Sequence, residues 1–272
     1  MIGISSSYFA SRNFSVYDSV QKAHSLGFKT IELGAAHSFE ENIFRTLKKI
    51  KKDFTGVSFT LHSMFPPLKE KIWFNPSLGL TDLNKSIIDS FFETAETVNA
   101  KVIGFHPGFM FEVSYEELNG FGETKNIRKL NEKISWTNLF DVLDYAVEKN
   151  SENKFDLVIE NIAALEDRAL VSGKNFQKVF DEFPSVGLLF DLGHSLSDKT
   201  YQELMFFKDK IREVHLHMPF GKKIHQPVDE KALEFLKPIK QIKEIPVIIE
   251  HFNGISEEQV LEEKELFNGF FR

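Results

Sequence analysis

The sequence predicts a single (β/α)8 barrel spanning residues 1–272. Three observations carry that expectation. Short apolar runs alternate with longer amphipathic segments along the whole chain. Most of those runs are apolar on both faces, as strands covered on both sides of a sheet are. The length of 272 residues is long for an ordinary domain and normal for one such barrel.

The elements follow in order. MIGISSS (1–7) reads as the first strand, and 16–26 as a helix. KTIELGA (29–35) is the second strand, with a helix around 39–52. VSFTLHS (57–63) is the third, followed by a loop holding Pro66, Pro67 and Pro76 and a helix over 83–98. KVIGFHP (101–107) is the fourth, then a long loop with some helical content and a helix over 136–149. FDLVIEN (155–161) is the fifth strand, with a helix near 174–182, and VGLLFDL (186–192) the sixth, with a helix near 199–208. IREVHLH (211–217) is the seventh, with a helix near 229–239. IPVIIEH (245–251) is the eighth, before a last helix over 256–269. Right-handed βαβ units in such a series close into a barrel. An open doubly wound sheet usually carries a Gly-rich phosphate turn after its first strand, and ISSSYFASRN is not one. No linker or low-complexity tract marks a second domain.

Composition narrows the classes. Hydrophobic residues make up 42%, enough for a large core, and 29 phenylalanines make that core aromatic. A net charge of −7 argues against a nucleic-acid binder. With no cysteine there is no disulfide, thiolate nucleophile or Cys-based metal site. MIGISSSYFA lacks the basic and long apolar regions of a secretion signal, and no apolar run approaches the ~18 residues of a membrane span. A cytoplasmic, soluble protein without a membrane partner is expected.

The strand ends carry the chemistry. The second strand bears Glu32 near its end, the third ends in His62 and the fourth in His106. The fifth ends in Glu160 and the sixth in Asp191, with His194 beyond it. The seventh ends in His215 and His217, and the eighth in Glu250 with His251 next. In a barrel these C-terminal ends converge on one mouth. Carboxylates and imidazoles crowded there need a cation to hold them, and the N/O set suits Zn²⁺, Mn²⁺, Co²⁺ or Fe²⁺. Gly193 is expected to make the sharp turn that returns His194 over the mouth. His215 and His217 share a face, while His251 points away from Glu250. His24 and His37 stand outside the pattern.

LHSMFP, FHPGF, VIEN, FDLGHS, VHLH and IIEH, in that order, resemble the xylose isomerase-like TIM-barrel superfamily. That superfamily holds sugar isomerases and epimerases, and the endonuclease IV group (AP endonuclease family 2). Resemblance to the single-metal isomerases implies Glu160, Asp191, His215 and Glu250 as metal ligands, with His217 the rival of His215. It implies that His194 contacts substrate and that Glu160 and Glu250 move protons. It places Glu166 near substrate. The arginine of related epimerases would fall at Gly221, which leaves Lys222 or Lys223 to serve.

Resemblance to endonuclease IV, which uses three zinc ions, adds His62 and His106 as ligands and His225 as the His of an Asp-x-His pair. The Asp of that pair falls at Lys223, and a lysine cannot replace a carboxylate ligand. The chain also has few arginines for a kinked duplex: Arg12, Arg45, Arg128, Arg168, Arg212 and Arg272.

Two activities follow from the resemblance. The first is a sugar or sugar-phosphate isomerase or epimerase, working by proton transfer through a metal-stabilised enediolate. Its cofactor would be Mn, Zn, Co or Mg, one per chain. The second is a phosphodiesterase of abasic DNA with two or three ions. A non-catalytic metal- or ligand-binding barrel is a third alternative. The Phe-rich loops at Phe65 and at Phe109 to Phe111 suit a pocket lining or a homodimer contact, and equally a plain cap on the barrel.

Overall fold

Eight short parallel strands close on themselves, because most are apolar on both faces and find cover inside and outside the ring. The computed structural model describes all residues except 64, 70–73, 119–120, 153, 163–172, 221–222 and 253. At 113–118, 121–127, 220 and 223–224 it describes the backbone only.

In chain order the strands are β1 (Ile2–Ser5), β2 (Thr30–Leu33), β3 (Ser58–Leu61) and β4 (Val102–Phe105), then a hairpin of β5 (Phe111–Leu118) and β6 (Phe121–Lys129). β7 (Asp156–Glu160), β8 (Gly187–Asp191) and β9 (Ile211–Leu216) follow, then a second hairpin of β10 (Met218–Phe220) and β11 (Lys223–Gln226), and finally β12 (Val247–Ile249). The barrel order is β1-β12-β9-β8-β7-β4-β3-β2, and β1 pairs with both β12 and β2 to close it. The expected (β/α)8 barrel is therefore the fold observed.

The helices form where amphipathic runs meet good caps. Ser15, Thr81 and Asn131 accept bonds from Asp18, Asn84 and Ile134 backbone N–H groups at 3.1, 3.1 and 3.2 Å. Ser256 and Gln259 make a reciprocal capping box at the last helix, Glu257–Phe270. Each such cap is worth about 1 kcal/mol. Phe74, Phe91 and Phe105 pack edge-on or tilted, with centroids 5.5–6.1 Å apart, and typify the aromatic core. Among the described residues, no helix is long and apolar enough to cross a membrane.

Four expectations about elements need correction. The long loop after His106 holds the β5–β6 hairpin, not helix. Its signal is Asn119-Gly120 between two alternating runs. The following helix starts at Glu132, where Asn131 caps it. The helix expected near 199–208 is instead three short pieces: Leu192–Ser197, Tyr201–Leu204 and a 3₁₀ turn over Met205–Lys210. The helix expected over 229–239 covers only Glu230–Glu234, with turns after it.

Candidate metal centre

The mouth of the barrel gathers the side chains of five strand ends around Glu160. This carboxylate is buried at the end of β7. Its Oε2 lies 3.0 Å from His62 Nε2 and 3.0 Å from His106 Nε2. Its Oε1 faces His215 Nδ1 at 3.6 Å and His194 Nδ1 at 3.7 Å. One carboxylate thus joins two groups of imidazoles, His62 with His106 on one side and His194 with His215 on the other.

Asp191, on the neighbouring strand, is held by Asn161. The Asn161 side chain accepts from the Asp191 backbone N–H at 2.8 Å and donates to its carbonyl at 2.9 Å. Asp191 Oδ1 accepts from the His194 backbone N–H at 2.6 Å, capping the short helix that follows β8. Asp191 Oδ2 is left to face imidazoles: His217 Nε2 at 2.9 Å, His194 Nδ1 at 3.6 Å and His215 Nδ1 at 3.8 Å. Glu250 enters from the end of β12, with Oε2 3.3 Å from His215 Nδ1 and 3.5 Å from His225 Nδ1.

His215 sits where these carboxylates meet. Its Nε2–H donates to Glu32 at 2.7 Å. Its Nδ1 is buried without a hydrogen-bond partner among the described residues, although oxygens of Glu250, Glu160 and Asp191 surround it at 3.3–3.8 Å. A bare imidazole nitrogen facing three carboxylates is a donor set for a divalent cation. Glu160, Asp191 and Glu250 around His215 Nδ1 are one set that would hold such an ion. The ligand atoms of His62, His106 and Glu160, of Glu160, Asp191 and His194, of Asp191, His217 and Glu250, and of Glu32, His62 and His215 also lie close enough together to share one.

Electrostatics agree with a centre built for positive charge. Burial opposes ionisation of Glu160, but His62 and His106 outweigh it and hold the carboxyl well below the usual carboxylate range. His215 and His225 do the same for Glu250, again against burial, and His194 and His217 lower Asp191. Burial also disfavours the imidazolium of His62, yet Glu160 lifts it to about 9, and Glu32 with Glu250 raises His215 well above its ordinary value. His225 differs: burial takes it down to about 4, so it is neutral.

Both His215 and His217 reach the cluster, in different roles. His217 Nδ1 accepts from the His225 backbone N–H at 3.2 Å, so its Nε2–H donates to Asp191. The β10–β11 hairpin brings His225 back over the mouth in a left-handed backbone conformation, φ 58°. Three bonds fix it there: its N–H to His217, its Nδ1–H to the Glu250 carbonyl at 3.1 Å, and its carbonyl to His251 Nδ1–H at 3.0 Å. His251 points away from the centre to Glu263 on the last helix at 2.7 Å.

Gly193 is not a turn residue of special conformation, because it lacks a positive φ and lies inside the helix Leu192–Ser197. A Cβ there would fall 2.1 Å from the His217 ring, so its absence makes room for that imidazole. Glu166 and Lys222 lie outside the described residues, and of Lys223 only the backbone, in β11, is described.

Other groups at the mouth and below it are absent from the expected set. Ser6, at the end of β1, bonds His37 Nε2 at 2.9 Å, and burial lowers His37 to about 4. Glu213, two residues before His215 and so on the same face, is fully buried. Burial first and then the Glu32 carboxylate push it up to about 8. The signal for Glu213 was its two-residue spacing from His215 in IREVHLH.

The family profile described as xylose isomerase-like TIM barrel matches residues 20–268. No curated protein sequence matches the chain. Among solved structures, a D-tagatose 3-epimerase-like protein is similar at 18% identity and a TM-score of 0.72, over 99% of this chain and 96% of its own. An L-ribulose 3-epimerase is similar at 14% identity and a TM-score of 0.62, over 98% and 86%. Endonuclease IV from Thermus thermophilus is similar at 13% identity and a TM-score of 0.59, over 99% and 97%. At these identities the likeness is one of fold. The profile covers most of the chain, and the protein belongs to the xylose isomerase-like TIM-barrel family.

Proposed function

We propose that this protein is a divalent-metal-dependent isomerase or epimerase of a small sugar or sugar phosphate. The observation that carries the reading is the convergence of Glu160, Asp191 and Glu250 on the bare Nδ1 of His215. A bound divalent ion supplies polarisation of the substrate carbonyl and steadies charge on its oxygens. The chain's own groups then move the proton. Among the described residues, Glu250 meets imidazoles through Oε2 only, whereas both oxygens of Glu160 do so. Glu250 is therefore the better placed to take a proton from the carbon beside the carbonyl, with Glu160 across the centre to return one. His194 orients the substrate. Lys222 or Lys223, in or beside the β10–β11 hairpin, serves a phosphate, Glu166 serves the sugar, and residues 1–272 act as one domain.

One observation favours a second reading, an endonuclease IV-like phosphodiesterase. His62 and His106 both aim Nε2 at the same oxygen of Glu160, an arrangement suited to a second ion that shares this carboxylate. The net charge of −7 and the scarcity of arginine weigh against duplex DNA.

The experiment is elemental analysis of protein purified without chelator or affinity metal. About one Mn, Co or Mg per chain, with turnover of a ketose or its phosphate, supports the first reading. Two or three Zn or Fe per chain, with nicking of abasic DNA, supports the second. A chain that binds no metal even after soaking overturns both.

A further inference from the structure

We infer that Glu32 is a positioning residue, which fixes the tautomer and orientation of His215 so that its Nδ1 faces the metal centre. The inference rests on the metal-centre reading above and adds to it a residue that does not itself touch the ion.

Glu32 lies on β2, whose barrel neighbours are β1 and β3 and none of the strands that carry Glu160, Asp191 and Glu250. It is fully buried in the barrel interior. Its Oε2 accepts from His215 Nε2–H at 2.7 Å, and its Oε1 finds no hydrogen-bond partner among the described residues. The single well-made contact of this carboxylate is thus with the ring of His215.

That contact decides what the other nitrogen can do. A neutral imidazole carries one N–H and one lone pair. When the ring is neutral, as a metal ligand must be, the N–H at Nε2 stays with Glu32 and the lone pair falls on Nδ1, the atom ringed by the three carboxylates of the centre. A carboxylate behind a ligating histidine also makes its lone pair more basic. The interior layer offers no equal substitute. Glu213 is as deeply buried and shares the strand face, yet neither of its oxygens makes a hydrogen bond to His215. A core carboxylate with one oxygen unpaired is costly to bury, and fixing His215 accounts for its presence.

Glu32→Gln keeps the shape and can still accept the bond, but removes the charge. Zn²⁺ affinity is measured by competition with a chelating indicator on wild type, Glu32→Gln, Glu32→Ala and Glu213→Gln. Thermal unfolding of each metal-free protein runs alongside. Glu32→Gln is expected to bind Zn²⁺ about 10-fold more weakly and Glu32→Ala about 100-fold, the range for a lost outer partner of a ligating histidine. Stoichiometry should stay at the wild-type value, and the metal-free melting temperature of Glu32→Gln should stay close to that of wild type. Co²⁺ bound to Glu32→Gln should show a shifted visible spectrum, because the ligand geometry changes.

Wild-type affinity in both Glu32 variants overturns the inference. Loss of one whole ion per chain also does, since Glu32 would then be a ligand. An equal loss in Glu213→Gln overturns it as well, because the effect would belong to the interior layer in general. Failure of wild type to bind Zn²⁺ at all is a different result and removes the metal-centre reading itself.

Discussion

Two groups of histidines flank the centre, and they are held in opposite ways. His62 and His106, at the ends of β3 and β4, point Nε2 at one oxygen of Glu160. Their placement is electrostatic, and His62 is lifted to about 9 by that carboxylate against the cost of burial. His194 and His225, on the other side, donate Nδ1–H to the carbonyls of Asn161 and Glu250, so backbone atoms fix their rings. His225 is neutral, pushed by burial to about 4. The same residue type is thus held on one side by a carboxylate, which keeps His62 protonated against its burial. On the other, His225 is a fixed neutral ring, while Asp191 and Glu160 raise His194 against its burial. Lys223 stands on this second side, where the endonuclease pattern has its aspartate.

The largest expected effect cuts the carboxylates between the two sides: Glu160 faces His62, His106 and His194, and Glu250 faces His225. Glu160→Gln or Glu250→Gln should lower kcat/KM by about 10³-fold or more, several kcal/mol of transition-state stabilisation, with circular dichroism unchanged. Persistent activity would place the site elsewhere. Next comes the contrast between the flanks. His62→Ala should remove one ion per chain if a second ion shares Glu160, whereas His225→Ala should leave the ion count unchanged and raise KM. Elemental analysis and steady-state kinetics read the two outcomes. Equal losses of metal from both variants would erase the distinction.

Packing gives a smaller effect. Gly193→Ala sets a Cβ against the His217 ring, and an overpacked site costs about 1–3 kcal/mol. At about 2–4 °C per kcal/mol, thermal unfolding should show a drop of several degrees. An unchanged melting temperature would mean that the His217 ring has room to move.

The smallest effect is in pH. In metal-free protein the raised His62 contributes stability that is complete below pH ~6.5 and fades as pH rises through about 9. The lowered His37 and His225 act in reverse. Their contribution is complete above pH ~6.5 and fades as pH falls towards about 4, because the unfolded chain takes up protons first. Stability of the metal-free form should therefore fall on both sides of neutrality. Metal binding should release protons near pH 7 and weaken as pH is lowered, which calorimetry in buffers of different ionisation heat will show.

The sequence makes the barrel legible because its strands are short, apolar and evenly spaced. The gathering of residues is legible because His62, His106, Glu160, Asp191, His215 and Glu250 all stand at strand ends, and the fold alone dictates that such ends meet. What is not legible depends on angles between residues far apart. Glu32 stands one register step from a strand end like the others, and nothing in TIEL shows that it faces a histidine 183 positions away. Gly193 reads as a turn, and only the fold shows a ring packed against it. The strained φ of His225 is set by partners on two other segments, which local propensity does not encode. The β5–β6 hairpin had a local signal in Asn119-Gly120, outweighed in the reading by the regular α/β rhythm around it.

The pin between His251 and Glu263 also bears on how the protein is made. Synthesis runs from β1 towards β12, and β1 must wait for β12 before the ring can close. Glu250 arrives with β12, and the last helix then clamps His251 through Glu263 and Val228 through the same carboxylate, at 2.7 Å each. Val228 follows β11, and His251 bonds the His225 carbonyl, so both hold the strand that presents His225. The mouth therefore reaches its final shape only once β12 and the helix Glu257–Phe270 have been made.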